Sequence, residues 1–287
     1  MKHSCFSLPS AALCVAASFF LMTGFLLPVC ANPPATKIAM DGKTELKLVW
    51  NDEFTGEGLP DPEKWGYEHG FVRNAEKQFY TRARTENARQ ENGVLIIESH
   101  KENWEENGQK ADYTSASVTT RGKASWSHGR MEVRAKLPAG RGTWPAIWML
   151  GDSISKVGWP ACGEIDIMEY VGFTPETVYA NIHVKKYNHS VGTGKGSHLK
   201  LNSPETEFHV YAVEWNAEKM MFSVDGNVYF TYENEETGED AWPYNSPHYL
   251  ILNTAIGGAW GGQKGIDDEI FPVRFEIDYV RMYQGEK

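Results

Sequence analysis

The chain has 287 residues, a formal charge of −10 and a pI near 5.4. That length suits one large domain or two small ones, with a core able to stand without staples. The acidic balance argues against nucleic-acid binding, which needs Lys and Arg against phosphates, and against a polybasic membrane contact.

The chain opens on Lys2 and His3, followed by an apolar run from Ala11 to Leu27 and by Val29-Cys30-Ala31, small residues at a cleavage site. This pattern predicts a secretory signal peptide over 1–31, removed after Ala31, with an exposed linker over 32–45 that begins Asn32-Pro33-Pro34. The run is short for a spanning helix, so no transmembrane segment is expected in the mature chain, and the destination is periplasmic or extracellular. Lipid attachment at Cys30 is the minor alternative, since Pro28 and Val29 suit that processing poorly. Cleavage removes Cys5, Cys14 and Cys30, which leaves Cys162 alone and rules out an internal disulfide. No motif beside Cys162 supplies a base, so it reads as a small buried hydrophobe.

Short alternating segments follow. Val94–Ser99 reads as a strand entered through Asn92-Gly93, Arg130–Lys136 alternates charged and apolar positions, and Tyr211–Trp215 is a third strand. Asp225-Gly226 between two apolar runs is a hairpin signal. Phe275–Tyr283 alternates cleanly and closes the chain. Many short strands, no long stretch of helical period and no repeat argue an all-β sandwich or barrel, one domain over 46–287, expected as a monomer.

Within it, Gly163-Glu164-Ile165-Asp166-Ile167-Met168-Glu169 concentrates acids in a β-prone stretch. On a strand, Glu164 and Asp166 share a face and Glu169 is out of phase by one residue. One extra residue, a β-bulge near Ile167 or Met168, would return Glu169 to that face. Three acids in a row push their pKa values apart, and glycoside hydrolysis uses such a split, with one carboxylate ionised and a second protonated. The alternatives are a solvated acidic face or a metal site, the latter disfavoured by the lack of His in the motif.

Aromatics surround the motif. Trp144 and Trp148 have equal parity, Trp159 stands just before the acids, and Trp260 sits in Gly257-Gly258-Ala259-Trp260-Gly261-Gly262. Flat rings suit the apolar faces of sugars, although a single Trp is more often core. His183 alternates in a segment fit to neighbour the acidic strand.

Gly163–Glu169 with Trp144-Pro145-Ala146-Ile147-Trp148 resembles glycoside hydrolase family 16, specifically its laminarinase-like endo-β-1,3-glucanases. Trp50–Phe54, Tyr113–Ala116, Gly129–Pro138, Leu252–Gly258 and Asp278–Tyr283 extend the likeness along most of the mature chain. The resemblance implies a β-jelly roll of two antiparallel sheets with a concave substrate groove, and hydrolysis of β-glucan polysaccharide and oligosaccharides with retention. It implies Glu164 as nucleophile, Asp166 as assisting acid and Glu169 as general acid/base, with Trp144, Trp148, Trp159 and His183 lining the groove. It implies no catalytic cofactor but a structural Ca²⁺, with Glu53, Gly93 through its carbonyl, and Asp278 as the matching ligands, oxygen donors of the kind calcium prefers.

The extra residue at Met168 separates this chain from the lichenase and xyloglucan-active branches, which look like Glu-x-Asp-x-Glu; agar-active members share the bulge. Arg73–Thr81 is similar to the laminarinase Asn-Asn-Glu-x-Gln stretch but has Ala75 at the second Asn, leaving Asn74 and Glu76 as glycone-side contacts. Mixed-linkage β-1,3-1,4-glucan is therefore the alternative substrate. A non-catalytic glucan-binding lectin and transglycosylation are the other readings.

Overall fold

The computed structural model describes Met1 and residues 33–285. The chain divides into two units, Met1–Pro33 and Pro34–Lys287. The leader expected over 1–31, with Cys5, Cys14 and Cys30, lies outside the described residues except for Met1. Among the described residues no helix is long and apolar enough to cross a membrane.

The second unit is a β-jelly roll of two stacked sheets. The groove sheet has the spatial order Lys195–Lys200, Thr177–His183, Glu164–Tyr170, Thr143–Gly151, His248–Ile256, Ser117–Thr119, Gly66–Tyr67. The outer sheet is built round Val273–Gln284, which pairs with Val94–Glu106, Gly129–Lys136 and Glu45–Asp52. Pairing is antiparallel except where Gln78–Tyr80 runs parallel to Gln109–Ser115.

The predicted strands form where alternation places them. Asp225 and Gly226 both have positive φ, 50° and 80°, the two left-handed residues a tight hairpin requires. They join Lys219–Val224 to Asn227–Glu233. Asn92-Gly93 repeats the device, with φ of 54° and 79°, ahead of Val94–Glu106. Among the described residues the helical content is one four-residue helix, Ile154–Val157, and two 3-10 turns.

Between the sheets lies one large apolar cluster that includes Val133, Ile147, Met149, Ile165, Phe222, Leu252, Phe275 and Ile277. The strand Thr143–Gly151 divides by parity: Ile147 and Met149 join that core, while Ala146, Trp148 and Leu150 turn to the opposite face. There they pack with Cys162, Tyr249 and Ile251. Cys162 is fully buried and its thiol is pushed up to about 11 by burial, so it is a packing residue.

The span expected as a linker is partly folded. Thr36–Ile38 pairs with Glu45–Lys47. Lys37 Nζ donates to both oxygens of Glu132, at 2.6 and 2.7 Å, and Arg130 Nε donates to the same carboxylate. The Met40 N–H donates to Glu214 at 2.8 Å. Two carboxylates of the outer sheet thus fix this segment, a long-range pairing that local composition does not encode. Lys37→Met leaves a fully buried Glu132 with Arg130 as its one paired cation among the described residues. Because Lys37 is itself about one-third exposed, the expected loss is about 1–2 kcal/mol, read as a lower urea midpoint at unchanged slope.

Candidate active site

The acidic strand Glu164–Tyr170 lies between Thr143–Gly151 and Thr177–His183. Against the second of these, Asp166 faces Asn181 and Glu169 faces Tyr179, so two residues oppose Ala180 alone. Against the first, Trp148 faces Asp166 and Ile147 faces Met168, which passes over Ile167. Both flanking strands keep regular register with their own outer neighbours. The extra residue therefore belongs to the acidic strand, as its sequence predicts. Ile165, Ile167 and Met168 all enter the core, and Glu164, Asp166 and Glu169 all face the groove.

That groove is a cleft of about 740 Å³. Asn74, Glu76, Trp144, Trp148, Trp159, His183, Trp260 and the three acids all line it, so the structure brings every expected groove residue together. Each outer acid is held by an indole. Trp159 Nε1 donates to Glu164 Oε2 at 2.9 Å, and Trp144 Nε1 donates to Glu169 Oε1 at 3.1 Å. Asn181 Nδ2 donates to the other oxygen of Glu169 at 2.8 Å. His183 Nε2 stands 3.3 Å from Asp166 Oδ2 and 3.8 Å from Glu164 Oε1. The closer approach is off hydrogen-bond alignment, and Asp166 Oδ2 has no hydrogen-bond partner.

Burial and crowding govern the protons. Burial, then the neighbouring Asp166 charge, pushes Glu164 up to about 8, opposed by His183 and the Trp159 N–H. Burial and Glu169 push Asp166 well above the ordinary carboxylate range. Burial raises Glu169 too, opposed by Asn181, His183 and Trp144. Asp166 is the least exposed of the three, at 3%. Three carboxyls so placed hold fewer than three negative charges at neutral pH, and the central one carries the shared proton most readily. Glu164, Asp166 and His183 also offer ligand atoms within 4.8 Å of one another, a spacing a metal ion would accept. The indole N–H on Glu164 competes for its lone pair, and the raised carboxyl pKa values suit proton transfer.

The aromatic residues differ in what they present. Trp159 is 38% exposed and offers its ring. Trp148 is buried, donates to Asn253 Oδ1 at 2.7 Å, and is covered by the Arg73 guanidinium at 4.8 Å, so it forms wall rather than open platform. Trp260 meets Trp144 edge-on at 5.6 Å and Tyr179 at 4.9 Å, which fixes its ring although glycines flank it. Glu76 is buried and gathers Asn74, Gln78 and Tyr80 as donors. Asn74 and Ala75 both adopt left-handed φ, 56° and 52°. Asn tolerates that region better than Ala, so the departure at Ala75 adds local strain.

Arg73, Asn181, His189 and Asn253 line the cleft and were not singled out from sequence. Asn181 and His183 share parity on one strand, a signal that could have found Asn181. His189 arrives on a 3-10 turn, and no local pattern marks it.

The expected metal ligands lie apart from the cleft, on the outer sheet and its edge. Both oxygens of Glu53 accept from Arg281, at 2.9 and 2.7 Å. Asp278 Oδ2 accepts from Arg134 at 2.5 Å. Gly93 occupies the left-handed turn before Val94.

Known proteins similar to this chain bear on this site. The family model for glycosyl hydrolases family 16 matches residues 75–281. A β-glucanase of Rhodothermus marinus is 52% identical over 248 residues, which is 83% of this chain and 85% of that protein. The X-ray structure of the laminarinase from Rhodothermus marinus superposes with a TM-score of 0.81 at 49% identity, covering 84% of this chain and 98% of that one. A non-specific endo-β-1,3(4)-glucanase of family 16 gives a TM-score of 0.81 at 44% identity, over 88% of this chain and 96% of its own.

Asp166→Asn removes a carboxyl that shares the protons of the row, so the row should release one proton fewer and the Glu164 ionisation step should fall to lower pH than in the wild type. Carboxyl-detected NMR titration checks the direction; an unmoved or higher Glu164 midpoint would contradict the assigned cause.

Proposed function

The chain belongs to glycosyl hydrolases family 16, and we propose that it is a retaining, endo-acting hydrolase of β-1,3-glucan of the laminarin type. The observation that carries this reading is the bulged row of acids on the groove floor, each outer carboxyl oriented by an indole N–H.

In the first step Glu164 attacks the anomeric carbon and Glu169 gives its proton to the departing glycosidic oxygen. The C–O bond to the leaving sugar breaks as the ester to Glu164 forms. In the second step Glu169, now ionised, takes a proton from water, whose oxygen displaces Glu164 and restores the enzyme. Asp166 shares its proton with Glu164 and makes it a better leaving group. Trp144, Trp148, Trp159, His183 and Trp260 shape the groove, and Asn74 and Glu76 meet the glycone side. This chemistry needs no cofactor, because the carboxyls supply nucleophile, acid and base. A second reading, hydrolysis of mixed-linkage β-1,3-1,4-glucan, is favoured by the similarity to the non-specific endo-β-1,3(4)-glucanase.

The proposal extends to a structural calcium ion and to export. Arg281 commits the Glu53 side chain. A calcium ion there would take the main-chain oxygens of Glu53 and Gly93 with the Asp278 oxygen that Arg134 does not hold, oxygen donors alone. The charged start, apolar run and small-residue site over 1–31 support a secreted protein, acting as a monomer on polysaccharide outside the cytoplasm.

Glu164→Gln should abolish release of reducing ends from laminarin, by at least a thousandfold, while binding of laminarin oligosaccharides persists. Asp166→Asn should slow turnover less. Near-normal activity of the first variant, or an equal loss in both, would overturn the roles. Assays of laminarin, barley β-glucan, lichenan, xyloglucan and agarose, with product linkages determined, separate the substrate readings. Calcium should raise the thermal midpoint and EGTA lower it, with kcat at moderate temperature unchanged; identical melts would remove the ion from the proposal.

A further inference from the structure

We infer that Gly196, on the edge strand of the groove sheet, is a positioning residue for the acid/base Glu169, acting through Asn181. The inference rests on the role proposed for Glu169.

Asn181 faces Gly196 directly across the strand pair Thr177–His183 and Lys195–Lys200. The Asn181 amide nitrogen faces Glu169 Oε2 at 2.8 Å, as the ionised form of that carboxyl requires of its partner. The amide is planar, so its oxygen points the other way, toward the edge strand. A Cβ on Gly196 would stand 2.0 Å from Asn181 Oδ1 and 2.6 Å from the Ala180 carbonyl oxygen. Neither approach is tolerable. Any side chain at 196 would drive the amide off its line to Glu169. The glycine is therefore held by its neighbours, the Asn181 amide and the Ala180 carbonyl, and not by its own backbone angle.

The consequence for Glu169 follows from what surrounds it. Glu164 and Asp166 lie on its own strand, His183 is presented by Thr177–His183, and the Tyr229 hydroxyl feels its charge from the outer sheet. Thr143–Gly151 contributes the neutral Trp144 N–H. None of these replaces the Asn181 donor at Oε2. Without it the Trp144 N–H alone holds the carboxyl, and its ionised form loses a hydrogen bond. Proton delivery to the leaving oxygen suffers, and Glu169 stays protonated to higher pH.

Gly196→Ala should lower kcat/KM on laminarin oligosaccharides roughly tenfold and move the alkaline limb of its pH profile upward. Asn181→Ala should do the same. The double variant should match Asn181→Ala alone in activity, because the amide that the methyl displaces is already gone, while the clash with the Ala180 carbonyl persists and should appear in both Gly196 variants as a lower thermal midpoint. A β-1,3-glucan oligosaccharide carrying a good phenolic leaving group needs no protonation, so its kcat/KM should be nearly unchanged in all three. Wild-type behaviour of Gly196→Ala, multiplied losses in the double variant, or an equal loss on the phenolic substrate would each overturn the inference; the last two would mark simple damage to the edge strand. A wild-type enzyme inactive on every β-glucan is a different result, and sinks the reading of Glu169 itself.

Discussion

The placement of one extra residue governs this molecule. Ile167 lies unmatched in its strand, and both flanking strands stay regular around it. A side-chain period of two would otherwise send Glu169 into the core, where an unpaired carboxyl costs several kcal/mol. The bulge instead sends Ile167 and Met168 inward together and returns Glu169 to the groove. Packing and chemistry are satisfied by the same local irregularity. The apolar core holds the bulge in place, because sliding the strand by one residue would bury acids and expose Ile165.

The second constraint is electrical. A guanidinium or ammonium beside the acids would hold them ionised and disable the proton donor. The arginine that lines the cleft is otherwise engaged: Arg73 is paired with Glu68 and stacked on Trp148. The acids meet neutral donors instead, two indoles and an amide, with one imidazole between Glu164 and Asp166. Neutral N–H groups fix orientation with less depression of pKa than a full charge would cause. Burial can then keep a proton in the row near neutral pH, which is what acid catalysis by a carboxyl demands.

Much of this was legible in the sequence because it follows from period and parity. Alternation marked the strands, Asp225-Gly226 the hairpin, and the odd spacing of Glu169 the bulge. The equal parity of Trp144 and Trp148 gave their common face. What escaped depended on partners distant in the chain. Lys37 reads as linker until Glu132 is found beside it. The use of Trp148 as wall depends on Arg73 lying over it. Arg281 occupies the carboxylate of Glu53, expected as a calcium ligand, and nothing near Glu53 in the chain announces that. His189 and Asn253 reach the cleft through a turn and a strand whose registers only the folded sheet defines.

The division of labour between strands and loops explains why chemistry is easier to read here than linkage. The acids, Trp144, Asn181 and His183 stand on paired strands, where register fixes each side chain to its neighbour. The groove contacts expected to choose among glucans stand on connections. Asn74 and Ala75 adopt left-handed angles, and Glu76 is bridged to Gly257, which opens the loop that bears Trp260. These two loops are locked to each other, since the Ala259 N–H donates to the Asn74 carbonyl at 2.9 Å. A change at Ala75 therefore shifts Asn74 and, through that bond, the backbone beside Trp260. The two loops are joined, so substitution of a single residue in one should move both ends of that part of the groove together.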